Sequence, residues 1–267
     1  MTIYHYTSIQ TLALILKYKK IRFNRLDLVD DLEESMYRSG PSQSRLSQYH
    51  FVSCWTKDEH ENLALWNMYT RYKGVRIGLD EMPFLTYRVN DKFYSFFDSY
   101  KGFENDYFYS SFINEAKLYD VKYVDNPSEK IQELIQPSGK GFFINTEEVG
   151  IYKRKEWAMQ KESRFKVNVM PINSDSLEPE SSYFKKNPLN YEVKLVESIG
   201  PSISQSKPIQ ITHIDLDLDP LKLQTIEITL GPLTTEADRY IVESLLSPYP
   251  KSTIKDSFFL GKLREKA

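Results

Sequence analysis

A chain of 267 residues with a formal net charge of −2 is long enough to bury a substantial core and carries no overall field that would draw in a polyanion. At 40% hydrophobic and 27% charged it has the balance of a soluble protein, and its one cysteine, Cys54, excludes an intramolecular disulfide and a multi-cysteine zinc site. It shows no run of 18 apolar residues and no secretory leader pattern, which reads as a cytoplasmic chain with no membrane span.

In chain order, residues 3–6 read as a short strand. Thr7 and Gln10 form a capping box for a helix carrying Leu12, Ile15, Leu16 and Lys19 on one stripe. A second strand at 21–23 precedes acidic residues 27–34, which read as a solvated loop, since their spacing fits no defined calcium loop. Residues 49–55 alternate as a strand. Asp58 and Glu61 then box the start of a helix through Leu65, Trp66, Met68 and Tyr69, which Gly74 ends before a core strand at 75–79.

From 84 to 123 the character changes, with fourteen aromatics in forty residues, out of 19 Tyr and 15 Phe in the chain. Aromatics this dense must be covered, and the segment reads as a largely helical insertion flanking the core. Strand alternation returns at 117–124. Residues 131–137 and 146–157 read as helical and 162–169 as a strand, while 171–188 is loop-like. Strands follow at 191–196, 209–216 and 225–230. Gly231-Pro232 breaks the chain before a helix boxed by Thr235 and Asp238, with Ala237, Tyr240, Ile241 and Leu245 inward, and a last strand spans 252–260. With no internal repeat and no linker, the reading is α+β in one domain, 1–267, with 84–123 inserted.

The residues that could carry chemistry are few. On a strand, Gln160, Glu162, Arg164 and Lys166 share one face at period two, with side chains roughly 6.5–7 Å apart. A carboxylate fixed there can stabilise an oxocarbenium ion, and Arg164 can orient it or bind a phosphate. His5 sits between Tyr4 and Tyr6 and points away from both, and its imidazole can donate at one nitrogen and accept at the other. Trp66 and Tyr69 share a helical face; either ring can stack on a planar group or pack into the core. Ser53 ends a strand beside them. His50, His60 and His213 make no metal-ligand spacing, no phosphate-loop or Rossmann glycine pattern occurs, and Gly231 reads as structural.

The segments Met-Thr-Ile-Tyr-His-Tyr-Thr-Ser (1–8), Ser53-Cys54-Trp55 with the following Leu-x-x-Trp-x-x-Tyr helix, Trp157 to Arg164, and the close from Ile226 to Arg264 together carry a resemblance. The chain resembles a large bacterial family known as domain of unknown function 2971, whose members look like distant relatives of the ADP-ribosyltransferases. The resemblance covers nearly the whole chain and is weakest over 84–123. It implies a split β-sheet core of the ADP-ribosyltransferase kind with NAD as co-substrate and no metal. It further implies His5 and Thr7 at the adenosine ribose, Ser53, Trp66 and Tyr69 near nicotinamide, and Arg164 as orienting group or phosphate ligand. Glu162 is then the catalytic carboxylate and Gln160 the acceptor-side residue, although Glu is expected at that place in most of the family. His5 and Glu162 should lie on adjacent strands, facing one cleft.

On this basis the chain is expected to transfer ADP-ribose to a protein or nucleic-acid acceptor or to hydrolyse NAD, as a toxin-type or phage-defence effector with a regulator or antitoxin. Two alternatives stay open: a non-catalytic nucleotide-sensing or interaction module on the same fold, and a nucleic-acid-directed effector whose aromatic insertion stacks bases. Lys101, Lys117 and Lys122 are sparse support for the latter.

Overall fold

Nine strands form one mixed sheet in the computed structural model, which describes residues 1–35, 38–39, 44–98, 106–132, 134–138, 141–173, 193–194 and 197–264. They are β1 (Thr2–Thr7), β2 (Lys20–Arg25), β3 (His50–Thr56), β4 (Val75–Asp80), β5 (Leu118–Asp120), β6 (Glu162–Asn168), β7 (His213–Asp217), β8 (Glu227–Leu230) and β9 (Thr253–Lys255). The path runs β5-β6-β3-β1-β4-β8-β9, while β2 pairs with β3 and β7 off that path. The β8–β9 pair is parallel, and the other ladders of this sheet are antiparallel. With its helices, the architecture is a mixed one compatible with the α+β class.

The sheet is forked. β6 pairs with one edge of β3 from Glu162↔Thr56 to Asn168↔His50. On the other edge β1 joins only at Tyr4↔Thr56, and β2 joins only at Asn24↔Val52 and Arg25↔Phe51. The edge of β3 at Ser53, Cys54 and Trp55 is therefore paired with neither. Both β1 and β2 run antiparallel to β3, hence parallel to each other, and a parallel connection needs a crossover. Helix α1 (Ile9–Tyr18) supplies it, burying Ile9, Leu12, Ile15 and Leu16. Gly74 permits the close approach that ends β1, since a Cβ there would run into the Thr7 carbonyl oxygen.

Strand alternation gives the sheet two unlike faces. Ile3, Trp55, Val75, Ile77, Phe165, Val167 and Ile228 join one hydrophobic core with α1 and Val242 and Leu246 of the helix Glu236–Leu246. On the opposite face Tyr6 packs with Leu65 and Trp66 of α3 (Leu63–Thr70), and the Arg76 guanidinium lies 3.5 Å from the Tyr4 ring centre.

Several expected elements differ. The cap of α1 is Ser8, whose hydroxyl accepts from the Thr11 amide, and Lys19 ends the helix in the left-handed region at φ 54°. α3 is capped by Asn62, whose side-chain oxygen takes the Ala64 and Leu65 amides; the amide-accepting side chain closest to the first turn prevails. The insertion 84–123 holds no helix among its described residues. It forms short strands, including the pair Tyr87–Arg88 and Tyr94–Ser95 across an Asn90-Asp91 turn, as suits aromatics punctuated by turn formers. Phe84, Phe96 and Phe97 nevertheless sit in the main core. Residues 146–157 form turns, a strand Tyr152–Arg154 and the start of a 3₁₀ helix, Lys155–Gln160. The described residues of 131–137 fall in a helix, Pro127–Gln132, a turn at Leu134 and a strand, Ile135–Ser138. The Thr235–Asp238 box is present, but the buried stripe is Val242 and Leu246, with Tyr240 and Ile241 exposed. Of the loop at 171–188 and the strand at 191–196, residues 174–192 and 195–196 lie outside the described residues.

Candidate functional site

A cavity of about 620 Å³ opens at the fork. Its wall takes His5, Tyr6 and Thr7 from β1, Lys20, Arg22 and Asn24 from β2, and Val52, Ser53 and Cys54 from β3. Tyr69 of α3, Lys153, Trp157, Gln160, Glu162, Arg164 and the segment from Leu28 to Asp31 complete it, with α1 and Asp215 at its rim. The volume lies in the range of about 300–1,000 Å³ usual for small-molecule sites. Four cations, Lys20, Arg22, Lys153 and Arg164, face four carboxylates, Asp30, Asp31, Glu162 and Asp215, so the lining is close to neutral.

His5 occupies the fork itself. Its Nδ1 lies 2.9 Å from the Cys54 carbonyl oxygen on the unpaired edge of β3. A carbonyl only accepts, so Nδ1 carries the proton and Nε2 keeps a lone pair. Burial lowers the His5 pKa below the usual histidine value, against the raising effect of that hydrogen bond, and keeps the ring neutral near pH 7. The ring leans on Trp55 at 5.2 Å between centres.

His5 and Glu162 do not lie on adjacent strands, because β3 runs between β1 and β6. The register Tyr4↔Thr56↔Glu162 also puts His5, one residue on, across the pleat from Glu162. They therefore lie on opposite faces of the sheet, although both are among the residues that line the cavity.

Glu162 is part of a buried network that the sequence does not disclose. Arg164 Nε donates to Glu162 Oε1 at 2.5 Å and Lys153 Nζ to Oε2 at 2.9 Å. The same two cations hold Glu34: Arg164 reaches it through two nitrogens at 2.5 and 2.8 Å, and Lys153 lies 3.2 Å away. Lys153 also donates to Gln160 Oε1 at 2.8 Å, and Arg164 to the Gly150 carbonyl at 2.7 Å. Burial would raise the Glu162 pKa, but the Arg164 and Lys153 charges, with hydrogen bonds from Arg164 and Cys54, hold it at about 2. Glu162 is thus a permanent carboxylate at neutral pH, unfit to deliver a proton. The Cys54 thiol is pushed up by burial and by Glu162, so it is no nucleophile.

Thr7, Ser53, Tyr69, Gln160, Glu162 and Arg164 thus meet His5 around one space. Ser53 Oγ accepts from Trp55 Nε1 at 3.0 Å, and Tyr69 is exposed on its outer side while its hydroxyl lies 3.5 Å from Gln160 Nε2. Trp66 does not join them. It is fully buried, set edge-on against Tyr6 at 4.8 Å, and its indole N–H goes to Glu61; a large apolar ring that can be buried with its donor satisfied stays in the core. Gln160 is not on the strand: it ends the 3₁₀ helix, and Lys161, at φ 45°, turns the chain into β6. The acidic stretch is not a solvated loop. It contains α2 (Leu32–Ser35), and both Asp31 and Glu34 are buried.

Lys153 is the residue missed, while Asp31 and Glu34 belong to the acidic stretch that reads as solvated, and it is their burial that the sequence does not show. Each sits among other charges in a local context that reads as surface, and only the period-two alternation of Glu162 and Arg164 hinted that partners were needed.

Among the described residues no three His, Cys, Asp or Glu side chains gather to hold a metal ion, and no helix is long and apolar enough to cross a membrane. No family model, no curated protein and no solved structure matches the chain.

Proposed function

We propose that the chain consumes NAD in the cavity at the fork, breaking the nicotinamide–ribose bond and passing ADP-ribose to an acceptor or to water. The observation that carries this reading is convergence. Seven residues singled out in the sequence, from four stretches as far apart as His5 and Arg164, line one cavity of about 620 Å³. Their roles are those that the resemblance to the family related to ADP-ribosyltransferases implies, and the fork in the sheet is in keeping with a split-sheet core.

NAD supplies a ribose carbon that gains positive charge as nicotinamide leaves with the bonding electron pair. Glu162 provides a fixed negative charge for that stage, held in place by Arg164 and Lys153. His5 offers Nε2 as acceptor for a ribose hydroxyl, Tyr69 a ring edge for nicotinamide, and Gln160 an amide beside the acceptor. In a cell, such consumption of a shared cofactor suits a toxin-type or antiviral effector kept in check by a regulator.

One observation favours a second reading, a nucleotide-binding module without turnover. Both Glu162 oxygens are already engaged by cations, which offsets much of the field it presents to a ligand. A nucleic-acid-stacking role for the insertion draws no comparable support, because Phe84, Phe96, Phe97 and Phe108 are buried.

Calorimetric titration with NAD tests binding. Wild type is expected to bind, and His5→Ala to bind about tenfold more weakly through loss of one buried hydrogen bond. A wild type that takes up no NAD ends both readings.

A further inference from the structure

Of the three cavity-wall carboxylates that the network around Glu162 leaves out, Asp30, Asp31 and Asp215, only Asp31 is buried. Its Oδ1 accepts the Glu33 amide at 3.0 Å and caps the first turn of α2. Its Oδ2 is buried without a hydrogen-bond partner among the described residues, in a residue only 6% exposed. Buried polar atoms are almost always paired, and an exception at the wall of a cavity points to a partner that arrives with the ligand.

The other buried groups at that end of the cavity are committed. Glu162 stays ionised and grips two cations, Gln160 is an amide without basicity, and Lys153 and Arg164 are charged donors. His5 reaches the cavity from across β3.

We infer that Asp31 is the base that receives the proton of an oxygen nucleophile, water or the hydroxyl of a second substrate, as it adds to the ribose carbon. This rests on the NAD-consuming reading above. The carbon–nitrogen bond to nicotinamide breaks, and its electron pair leaves on the nicotinamide nitrogen. A lone pair of the nucleophile's oxygen forms the new bond to the same carbon. The proton of that oxygen passes to Asp31 Oδ2 and on to solvent. No oxidant or reductant is needed.

Burial raises the Asp31 carboxyl above the usual carboxylate range, and the charges of Glu34 and Glu33 add to this, against the Glu33 amide and Lys153. Asp30 adds a further carboxylate to the same wall. A raised value makes a stronger base near neutrality.

The test is the pH profile of nicotinamide release from NAD by wild type and Asp31→Asn. For wild type, kcat/KM should fall about tenfold per pH unit on the acid side as Asp31 takes up its proton. Asp31→Asn keeps Oδ1 as the cap; it should abolish that acid limb and lower kcat about a hundredfold, with KM for NAD changed less than about threefold. Asp31→Glu, which restores a carboxylate, should recover part of the rate and the limb. A purely structural Asp31 would instead shift melting temperature and NAD affinity together and leave the acid limb in place. That result, or normal turnover in Asp31→Asn, overturns the assignment alone. A wild type that binds NAD but releases no nicotinamide under any condition removes the enzyme reading as well.

Discussion

The two faces of β6 are built from alternate residues of one strand and obey different rules. On one side Phe165 meets Trp55, Phe84 and Phe96 edge-on, with ring centres 4.9–6.2 Å apart, in the main core. On the other, Glu162 and Arg164 join Glu34 and Lys153 in a network of two carboxylates and two cations, every member buried. Apolar packing is non-directional, so a neighbour of similar volume can replace a lost one. The ionic face has no such tolerance: each member is held by named atoms, and removing one strands a charge away from water. One face stabilises the fold, and the other holds a charge constellation against a cavity at a cost that needs another purpose.

The largest effect should come from cutting the ionic face at its centre. Arg164→Met leaves Glu34 and Glu162 sharing only Lys153 and should destabilise by about 3–5 kcal/mol in urea titration. A loss under about 1 kcal/mol would mean that the network is open to water and that the contrast between the faces is overstated.

Acid sharpens the same contrast. Glu162 folds with its pKa depressed to about 2, so its contribution is present above its unfolded value near 4.5 and is lost as pH falls from there toward 2. His50 is buried and neutral, hydrogen-bonded through Nδ1 to Asn168 at 2.8 Å, and burial with the Lys166 charge lowers it to about 3. Its contribution is complete above about 6.5 and is lost as pH falls through that window. Each group should add a slope of about 1.4 kcal/mol per pH unit where only the unfolded state is protonated. Chemical denaturation across this range should show the His50 part flattened in His50→Gln; an unchanged slope there would show that His50 is solvated.

Phe165→Leu, on the apolar face, should cost the least, about 1 kcal/mol, with the acid slope unchanged. A loss matching that of Arg164→Met would erase the distinction.

Periodicity made the alternation of β6 readable, because Glu162 and Arg164 on one face and Phe165 and Val167 on the other follow from spacing alone. The strands at 3–6, 49–55 and 75–79 were readable in the same way, and His5, Ser53 and Tyr69 were chosen from segments that do reach the cavity. What remained hidden was pairing over long distances. Glu34 lies 130 residues from Arg164, and nothing near either names the other. The insertion misled because aromatics serve helix and strand alike, and its Asn90-Asp91 turn is a weak signal against forty residues of bulk. Trp66 misled because a tryptophan reads alike in a cleft and in a core. The fork depends on where two ladders stop, which is a property of register that one strand alone does not carry.

The central claim is that the fixed charge of Glu162 serves NAD cleavage in this cavity. The most direct measurement is nicotinamide release from NAD by wild type and Glu162→Gln, both shown to be folded at the assay temperature. Gln keeps the volume and an oxygen for Arg164 while removing the charge. Wild type should release nicotinamide, and the variant should lose about a hundredfold in kcat, roughly 3 kcal/mol, with little change in NAD affinity. Equal turnover in the two proteins, or none in a wild type that is folded and supplied with NAD, would contradict the account.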